Sequence, residues 1–260
     1  MIRISVITIT YNAAEVIGRT LQSVLEQTHS AVEHIIVDGA SKDQTLTLAS
    51  EYKHRSYETK CGHEVIITSE PDRGIYDAMN KGLQAATGDY VIFMNAGDTF
   101  HAPDTLESIA QCANQSPLPA VIYGDTDVVD DQGNFLHRRR LSPPEQLSWR
   151  SFRNGMLVCH QAFYARTDLA KATPYNLQYR LSADVDWCIR VMKAAARQQL
   201  PLVNVHKTVA DYQEEGQTTR NHKASLRERF DVMCHHYGLL STLVMHFWFA
   251  LRSVFCKGKN

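Results

Sequence analysis

Asp98 closes the stretch Tyr90-Val91-Ile92-Phe93-Met94-Asn95-Ala96-Gly97-Asp98, in which a continuous apolar run gives way to a short polar turn. Such a run has the composition of a strand covered on both faces. A carboxylate just past the carboxyl end of a central strand can hold a divalent cation; the plainer alternative is a solvated turn residue. Asp38 follows a second apolar run and precedes Gly39. There it is either a turn residue or an acceptor for the base or ribose of a nucleoside. Asp72, Arg73, Asp77, Asn80 and Lys81 crowd the start of one helix, a place where backbone N–H groups favour phosphate. Asp77 and Lys81 are four apart and could equally form a helical salt bridge. Asp184 and Asp186 stand at the head of another helix, in Ser182-Ala183-Asp184-Val185-Asp186-Trp187, where acids suit the helix dipole.

These residues need elements to position them, and the sequence supplies an alternation. Ile2 to Ile9 is rich in β-branched residues and predicts a first strand, ended by Thr10-Tyr11-Asn12. Ile17, Leu21, Val24 and Leu25 share one helical face. Glu33 to Val37 predicts a second strand, and Ser41 with Gln44 three residues on has the form of a capping box, so a helix is expected to start there. Val65 to Thr68 is the third strand, followed by Glu70-Pro71-Asp72-Arg73-Gly74 and a helix over Ile75 to Ala86. The stretch ending in Asp98 is the fourth strand. A helix near Asp104 to Gln115 and a fifth strand at Ala120 to Tyr123 follow. Strand and helix in alternation predict an α/β fold with a doubly wound, mostly parallel sheet. The loops at Thr10–Asn12, Asp38–Asp43, Glu70–Gly74 and Asn95–Asp98 would then converge on one sheet edge. Neither a P-loop nor a Gly-x-Gly-x-x-Gly after the first strand is present, which disfavours a P-loop or dinucleotide site.

The bulk properties fit one large domain with a tail. The chain has 260 residues, 44% of them hydrophobic and 21% charged, enough to bury a core. A net charge of −1 gives no pull toward nucleic acid. Six scattered cysteines without a Cys-x-x-Cys pair are expected to be reduced thiols of a cytosolic protein. The N-terminus lacks a signal-peptide pattern.

Four segments carry a family resemblance: Ser5-Val6-Ile7-Thr8-Ile9-Thr10-Tyr11-Asn12, Val37-Asp38-Gly39-Ala40-Ser41-Lys42-Asp43, Glu70-Pro71-Asp72-Arg73-Gly74-Ile75-Tyr76-Asp77-Ala78-Met79-Asn80-Lys81-Gly82, and Asn95-Ala96-Gly97-Asp98. In this order and spacing they resemble family 2 glycosyltransferases of the GT-A fold, and among them bacterial exopolysaccharide transferases of the colanic-acid type. The resemblance implies that Thr10, Asn12 and Asp38 hold the nucleoside of a nucleotide-sugar donor. Asp72 and the helix start with Asp77, Asn80 and Lys81 would line the donor pocket. Asp98 would be the last carboxylate of the family's Asp-x-Asp metal element, with Asn95 standing where many members have Asp. The loss of one carboxylate weakens the site, yet Mg2+ or Mn2+ can still bind through Asp98 and the donor's phosphates.

The second half adds the other reactant. Asp184 aligns with the family's catalytic base, and Ala183 replaces the usual first acid of that pair. Burial is expected to raise the basicity of Asp184. His160, in a strand expected over Cys159 to Tyr164, is either a hydrogen-bonded core residue or, as the resemblance of His160 and Gln161 to a His-Gln pair of related exopolysaccharide enzymes implies, a residue near the acceptor. Asp125 follows the fifth strand and is a further acceptor candidate. Its neighbours Asp127, Asp130 and Asp131 lack EF-hand spacing, so a solvated hairpin turn is expected there. His137-Arg138-Arg139-Arg140 is a solvated edge or a surface for an anionic acceptor or membrane. Glu214 to Thr219 is either a surface loop or a lid over the donor phosphates.

Residues 220–260 carry seven Lys and Arg against two acids, net +5, and a strongly apolar run at helical spacing from Leu239 to Phe255. This is short for a membrane span. It fits an interfacial helix, a helix docked on the catalytic domain, or one docked on a second subunit. The organisation expected is a GT-A domain over 1–219, with a nucleotide-sugar half at 1–124 and an acceptor half at 125–219, then a helical extension at 220–260. The activity expected is inverting sugar transfer from a nucleotide sugar to a hydroxyl of a growing, lipid-linked surface polysaccharide, at the inner face of the membrane. The rivals are a nucleotidyltransferase that makes the activated sugar and a non-catalytic nucleotide-binding scaffold.

Overall fold

The computed structural model describes residues 1–59, 61–213 and 222–257. The loop Glu214 to Thr219 therefore lies outside the described residues. Four strands, β1 (Ile4–Thr10), β2 (Val32–Asp38), β3 (Glu64–Ser69) and β4 (Tyr90–Phe93), pair in parallel in the order β3-β2-β1-β4. β1 feeds β2 and β3 on one side and neighbours β4 on the other, so the strand order reverses between β1 and β4. Crevices at such reversals are where open α/β sheets bind ligands.

The parallel expectation holds for these four strands and changes after them. β8 (Phe163–Arg166) inserts antiparallel between β4 and β6 (Val121–Val129), β9 (Leu202–Gln213) runs parallel to β6, and β5 (Thr99–Phe100) pairs antiparallel to β9 at the far edge. β7 (Phe135–Arg138) forms a hairpin with β6. The turn between them is closed by Asp130, whose Oδ1 accepts from the Gln132 and Asn134 N–H groups, as a turn aspartate does.

Alternation along β2 shows how the sheet gains two cores. Ile36 faces α1 (Ile17–Leu25) and α2 (Thr45–Thr59), joining Ile17, Leu21, Ala49 and Tyr52, while Ile35 and Val37 face the other way into the main core. On that side α3 (Ile75–Ala85) lies so close to β1 that a Cβ on Gly82 would sit 2.4 Å from Ile7. Trp187, on α6 (Ala183–Arg197), is fully buried, edge-on to Phe93 and Phe163 and stacked on Tyr175.

Two local expectations are corrected. The helix after β2 is not capped by a Ser41–Gln44 box: Ser41 turns back to Asp38, and Asp43 instead accepts the Thr45 N–H at 3.0 Å at the start of α2. The segment from Cys159 is not strand throughout: His160–Ala162 is a 3-10 turn and the strand begins at Phe163. That turn matters, because it lets the consecutive residues His160 and Gln161 point at different partners. α4 is Thr105–Ala113 and α5 is Thr167–Ala172. Of the C-terminal helices, α7 (His222–Tyr237) is anchored on the domain. Glu228 accepts the Arg180 and Leu181 N–H groups, and His236 Nε2 lies 2.8 Å from Asp186 on α6. α8 (Leu239–Lys257) follows Gly238.

Candidate active site

The four strand-end loops meet. The Gly39 N–H bonds the Thr10 carbonyl, the Asn12 N–H bonds Ser41 Oγ, and Asn12 Oδ1 accepts from the Lys42 N–H, so the β1 and β2 loops are stitched together. Asp72 leans over Gly39, where a Cβ would stand 2.6 Å from its Oδ2; only glycine admits the β3 loop this closely. The β4 loop joins through the Ala96 N–H on the Ile9 carbonyl, and Thr20 of α1 clasps its turn by donating to the Asp98 carbonyl and accepting from the Gly97 N–H.

Within this rim the two carboxylates singled out in the sequence are two side chains apart. Asp98 is 6% exposed; Gln161 Nε2 donates to its Oδ2 at 2.8 Å and the Gln213 N–H to its Oδ1 at 3.2 Å. The next residue back, His160, lies with Nδ1 3.6 Å from Asp184 Oδ2 and Nε2 3.2 Å from Asn95 Nδ2. Asp98, Gln161, His160, Asn95 and Asp184 are thus one connected group built from β4, the 3-10 turn and the start of α6. Burial pushes the Asp98 carboxyl up, and the Gln161 bond and the charge of His160 only partly offset this.

For Asp184 the balance differs from expectation. Burial pushes its carboxyl up, but the bond and charge of His160 and the charge of Arg229 outweigh it, and the group is held below the ordinary carboxylate range. The Tyr76 hydroxyl donates to Asp184 Oδ1 at 3.2 Å; burial and the Asp184 charge raise this phenol well above its usual range, so it stays a donor. Asp186, the other acid of the pair, points elsewhere: it is 2% exposed and bound by Arg190 and His236.

Other candidates are brought to the rim but turned inward. Asp38 has no exposed surface, and its oxygens accept from Ser41 N–H, Ser41 Oγ and Ser69 Oγ. It ties the β2 loop to the end of β3 and offers no open face to a base. Asn80 is committed to the main chain of Tyr175, donating to its carbonyl and accepting its N–H. Lys81 serves the Pro71 carbonyl and Glu70, and Asp77 pairs with Arg73, so the expected Asp77–Lys81 bridge does not form. The half-buried Asp125 is reached by the charges of Arg138, Asp127 and Arg139, on the β6–β7 side. Of the basic run, Arg139 is structural, its guanidinium spread over the Leu141, Met156 and Leu157 carbonyls.

Three contributors were missed. Tyr76 lies within a recognised motif but reads as an apolar helix position. Arg229 lies in the tail, whose charges read as surface. Gln213 acts through its backbone, for which a side-chain pattern carries no signal.

A divalent cation fits the residues present. Asn95 Oδ1 is buried without a hydrogen-bond partner among the described residues, beside a buried carboxylate whose two oxygens each accept only one bond. Two hard oxygen donors of this kind suit Mg2+ or Mn2+. Thr10 Oγ1, at the end of β1, is likewise buried without a partner among the described residues.

Comparisons with known proteins bear on the family and the fold. The family model for glycosyl transferase family 2 matches residues 5–172. A PGL/p-HBAD biosynthesis glycosyltransferase of Mycobacterium tuberculosis is 35% identical over 82% of this chain and 77% of its own length. The amylovoran biosynthesis glycosyltransferase AmsB of Erwinia amylovora is 29% identical over 79% of this chain and 70% of its own. Among solved structures, S. aureus TarS 1-349 in complex with UDP-GlcNAc superposes with a TM-score of 0.69 at 19% identity, covering 95% of this chain and 73% of that one. Against a longer TarS chain the match covers 89% of this chain and 38% of that one. The mannosyltransferase PcManGT from Pyrobaculum calidifontis, in complex with GDP-Man and Mn2+, matches with a TM-score of 0.61 at 17% identity, over 99% of this chain and 79% of that one. These likenesses give the fold as GT-A, and with the family match they give the conclusion: the chain belongs to glycosyltransferase family 2 and is a transferase.

Proposed function

We propose that this transferase moves a sugar, with inversion, from a nucleotide-sugar donor to a hydroxyl of a growing, lipid-linked cell-surface glycan. The observation that carries the reading is the connection of Asp98 to Asp184 through the adjacent residues Gln161 and His160. It puts a cation-holding carboxylate and a proton-accepting one in a single group, as direct displacement at an anomeric carbon requires. Asp184 takes the proton of the acceptor hydroxyl as its oxygen bonds to the anomeric carbon, and the bond from that carbon to the diphosphate oxygen breaks on the opposite face. Its depressed pKa keeps it ionised at neutral pH. Tyr76 and His160 fix its orientation. Asp98 and Asn95 Oδ1 would hold Mg2+ or Mn2+, whose charge, when bound, stabilises the departing nucleoside diphosphate. Thr10, Asn12 and Asp72 line the rim on the donor's nucleoside side.

A lipid-linked acceptor is supported by α8. Leu239, Leu240, Leu243, Val244, Phe247 and Trp248 are exposed on it, an apolar strip suited to lying in the interface at the inner face of a membrane. No helix among the described residues is long and apolar enough to cross a membrane. The names of the relatives, one in amylovoran and one in PGL/p-HBAD biosynthesis, support a glycan-building role.

The test is incubation of the purified chain with UDP-, GDP- or dTDP-sugars, Mn2+ or Mg2+, and lipid-linked oligosaccharide acceptors. The expected result is acceptor-dependent release of nucleoside diphosphate and a product of inverted anomeric configuration by NMR. Retained configuration overturns the mechanism. Pyrophosphate released from a nucleoside triphosphate favours a nucleotidyltransferase. Absence of sugar-nucleotide binding in calorimetry, with or without Mn2+, favours a scaffold.

A further inference from the structure

A second polar cluster lies at the β5 edge of the sheet. His101, Asp127 and Asp211 each bring one ligand atom to within 4.8 Å of the other two. They come from three segments: His101 directly follows β5, Asp127 is on β6 and Asp211 on β9. Asp127 and Asp211 are register partners on neighbouring parallel strands, so their side chains stand side by side on one face. Tyr212, the next residue along β9, is influenced by Cys159, Arg139 and Asp98 and so faces the candidate active site. Asp211, pointing the other way from the strand, looks away from it.

The cluster is incomplete as a set of protein contacts. His101 Nδ1 lies 2.8 Å from Asp211 Oδ1 and satisfies that carboxylate. Asp127 is only 9% exposed, and its carboxylate has no hydrogen-bond or ion-pair partner among the described residues. A like-charged neighbour directly across two strands is unfavourable. A cation between the three side chains removes this cost. One imidazole and two carboxylates match the charge and softness of a borderline divalent ion, and the imidazole nitrogen disfavours Ca2+, which takes oxygen ligands.

We propose that His101, Asp127 and Asp211 bind a divalent first-row transition ion of the Zn2+ or Mn2+ kind, clipping the two-residue strand β5 to β6 and β9. The clip acts on the parts that hold Asp98. β5 begins at the residue after Asp98, and β9 ends at Gln213, whose N–H bonds Asp98.

The probe is Co2+, added to the tag-free, chelator-treated full chain without nucleotide and followed by visible absorption. The expected result is one Co2+ bound per chain and displaced by Zn2+. Affinity should fall by more than about tenfold in His101→Ala and in Asp127→Asn, and be retained in Asp98→Asn. Zn2+ should raise the melting temperature of the wild type and not that of His101→Ala. His101 is exposed, so its variant should melt with the wild type when metal-free, and it carries the test alone if Asp127→Asn fails to fold. Binding that ignores both substitutions, that vanishes in Asp98→Asn, or that is weaker than about 1 mM overturns the proposal. None of these readouts involves sugar transfer, so this site and the proposed activity stand or fall separately.

Discussion

At the scale of single residues, the candidate site is a balance between burial and partners. Asp98 is buried and Asp184 only partly exposed, yet one is pushed up and the other held down; the bond from His160 and the charge of Arg229 beside Asp184 make the difference. Removing His160 takes away the two largest of the effects that offset burial at Asp184. His160→Ala is therefore expected to raise that pKa, so that the ionised base is lost at a higher pH and the acid limb of the kcat profile moves upward; a pH–rate series for both proteins checks it. Asn80 illustrates the opposite case, a residue of a recognised motif whose amide is spent on the fold. Asn80→Ala strands the Tyr175 N–H and carbonyl and is expected to cost about 1–3 kcal/mol of stability, with the KM for donor nearly unchanged. Denaturant melts beside steady-state kinetics separate these effects.

At the scale of elements, docking of α7 completes the surroundings of Asp184, because it brings Arg229 toward that carboxylate and ties the segment before α6 through Glu228. Asp186 is its buried anchor. Burial raises the Asp186 carboxyl, but the bond from His236 and the charge of and bond from Arg190 hold it below its ordinary value of 3.8. A depressed folded pKa means that its stabilising contribution is complete above about pH 4 and is lost as pH falls through the folded value. Asp186→Ala is expected to cost about 3–5 kcal/mol at neutral pH by leaving His236 and Arg190 without their partner, and to remove part of the wild type's loss of stability in acid. Circular dichroism melts from about pH 3 to 7 check both.

Much of this scale was legible in the sequence. β-branched runs and apolar stripes marked β1 to β4 and α3 within a residue or two, and showed that helices stand at α1 and at the start of α6. What was not legible depends on partners distant in the chain. The 3-10 turn at His160, the antiparallel insertion of β8 and the inward turn of Asp38 are fixed by Asn95, by β4 and β6, and by Ser69 respectively. The Ser41–Gln44 box failed because Asp38, three residues back, competes for the Ser41 hydroxyl.

At the scale of the whole molecule, the transferase has a rim of loops on the parallel half of the sheet, proposed to take the donor, a side closed by α6 and α7, proposed to take the acceptor, and an exposed apolar strip on α8. If α8 sets the chain on a membrane, Phe247→Glu with Trp248→Glu is expected to abolish flotation with anionic vesicles while leaving turnover of a water-soluble acceptor analogue within about twofold; unchanged flotation would assign the strip to a protein partner. The central claim is that Asp98 and Asp184 serve one reaction from two sides. Measuring donor affinity by calorimetry and turnover by nucleoside diphosphate release, in Asp98→Ala and Asp184→Asn, tests it most directly. The account predicts that Asp98→Ala loses metal-dependent donor binding, whereas Asp184→Asn binds donor as the wild type does and turns over about 10²–10⁴-fold more slowly. Wild-type turnover in Asp184→Asn would contradict it.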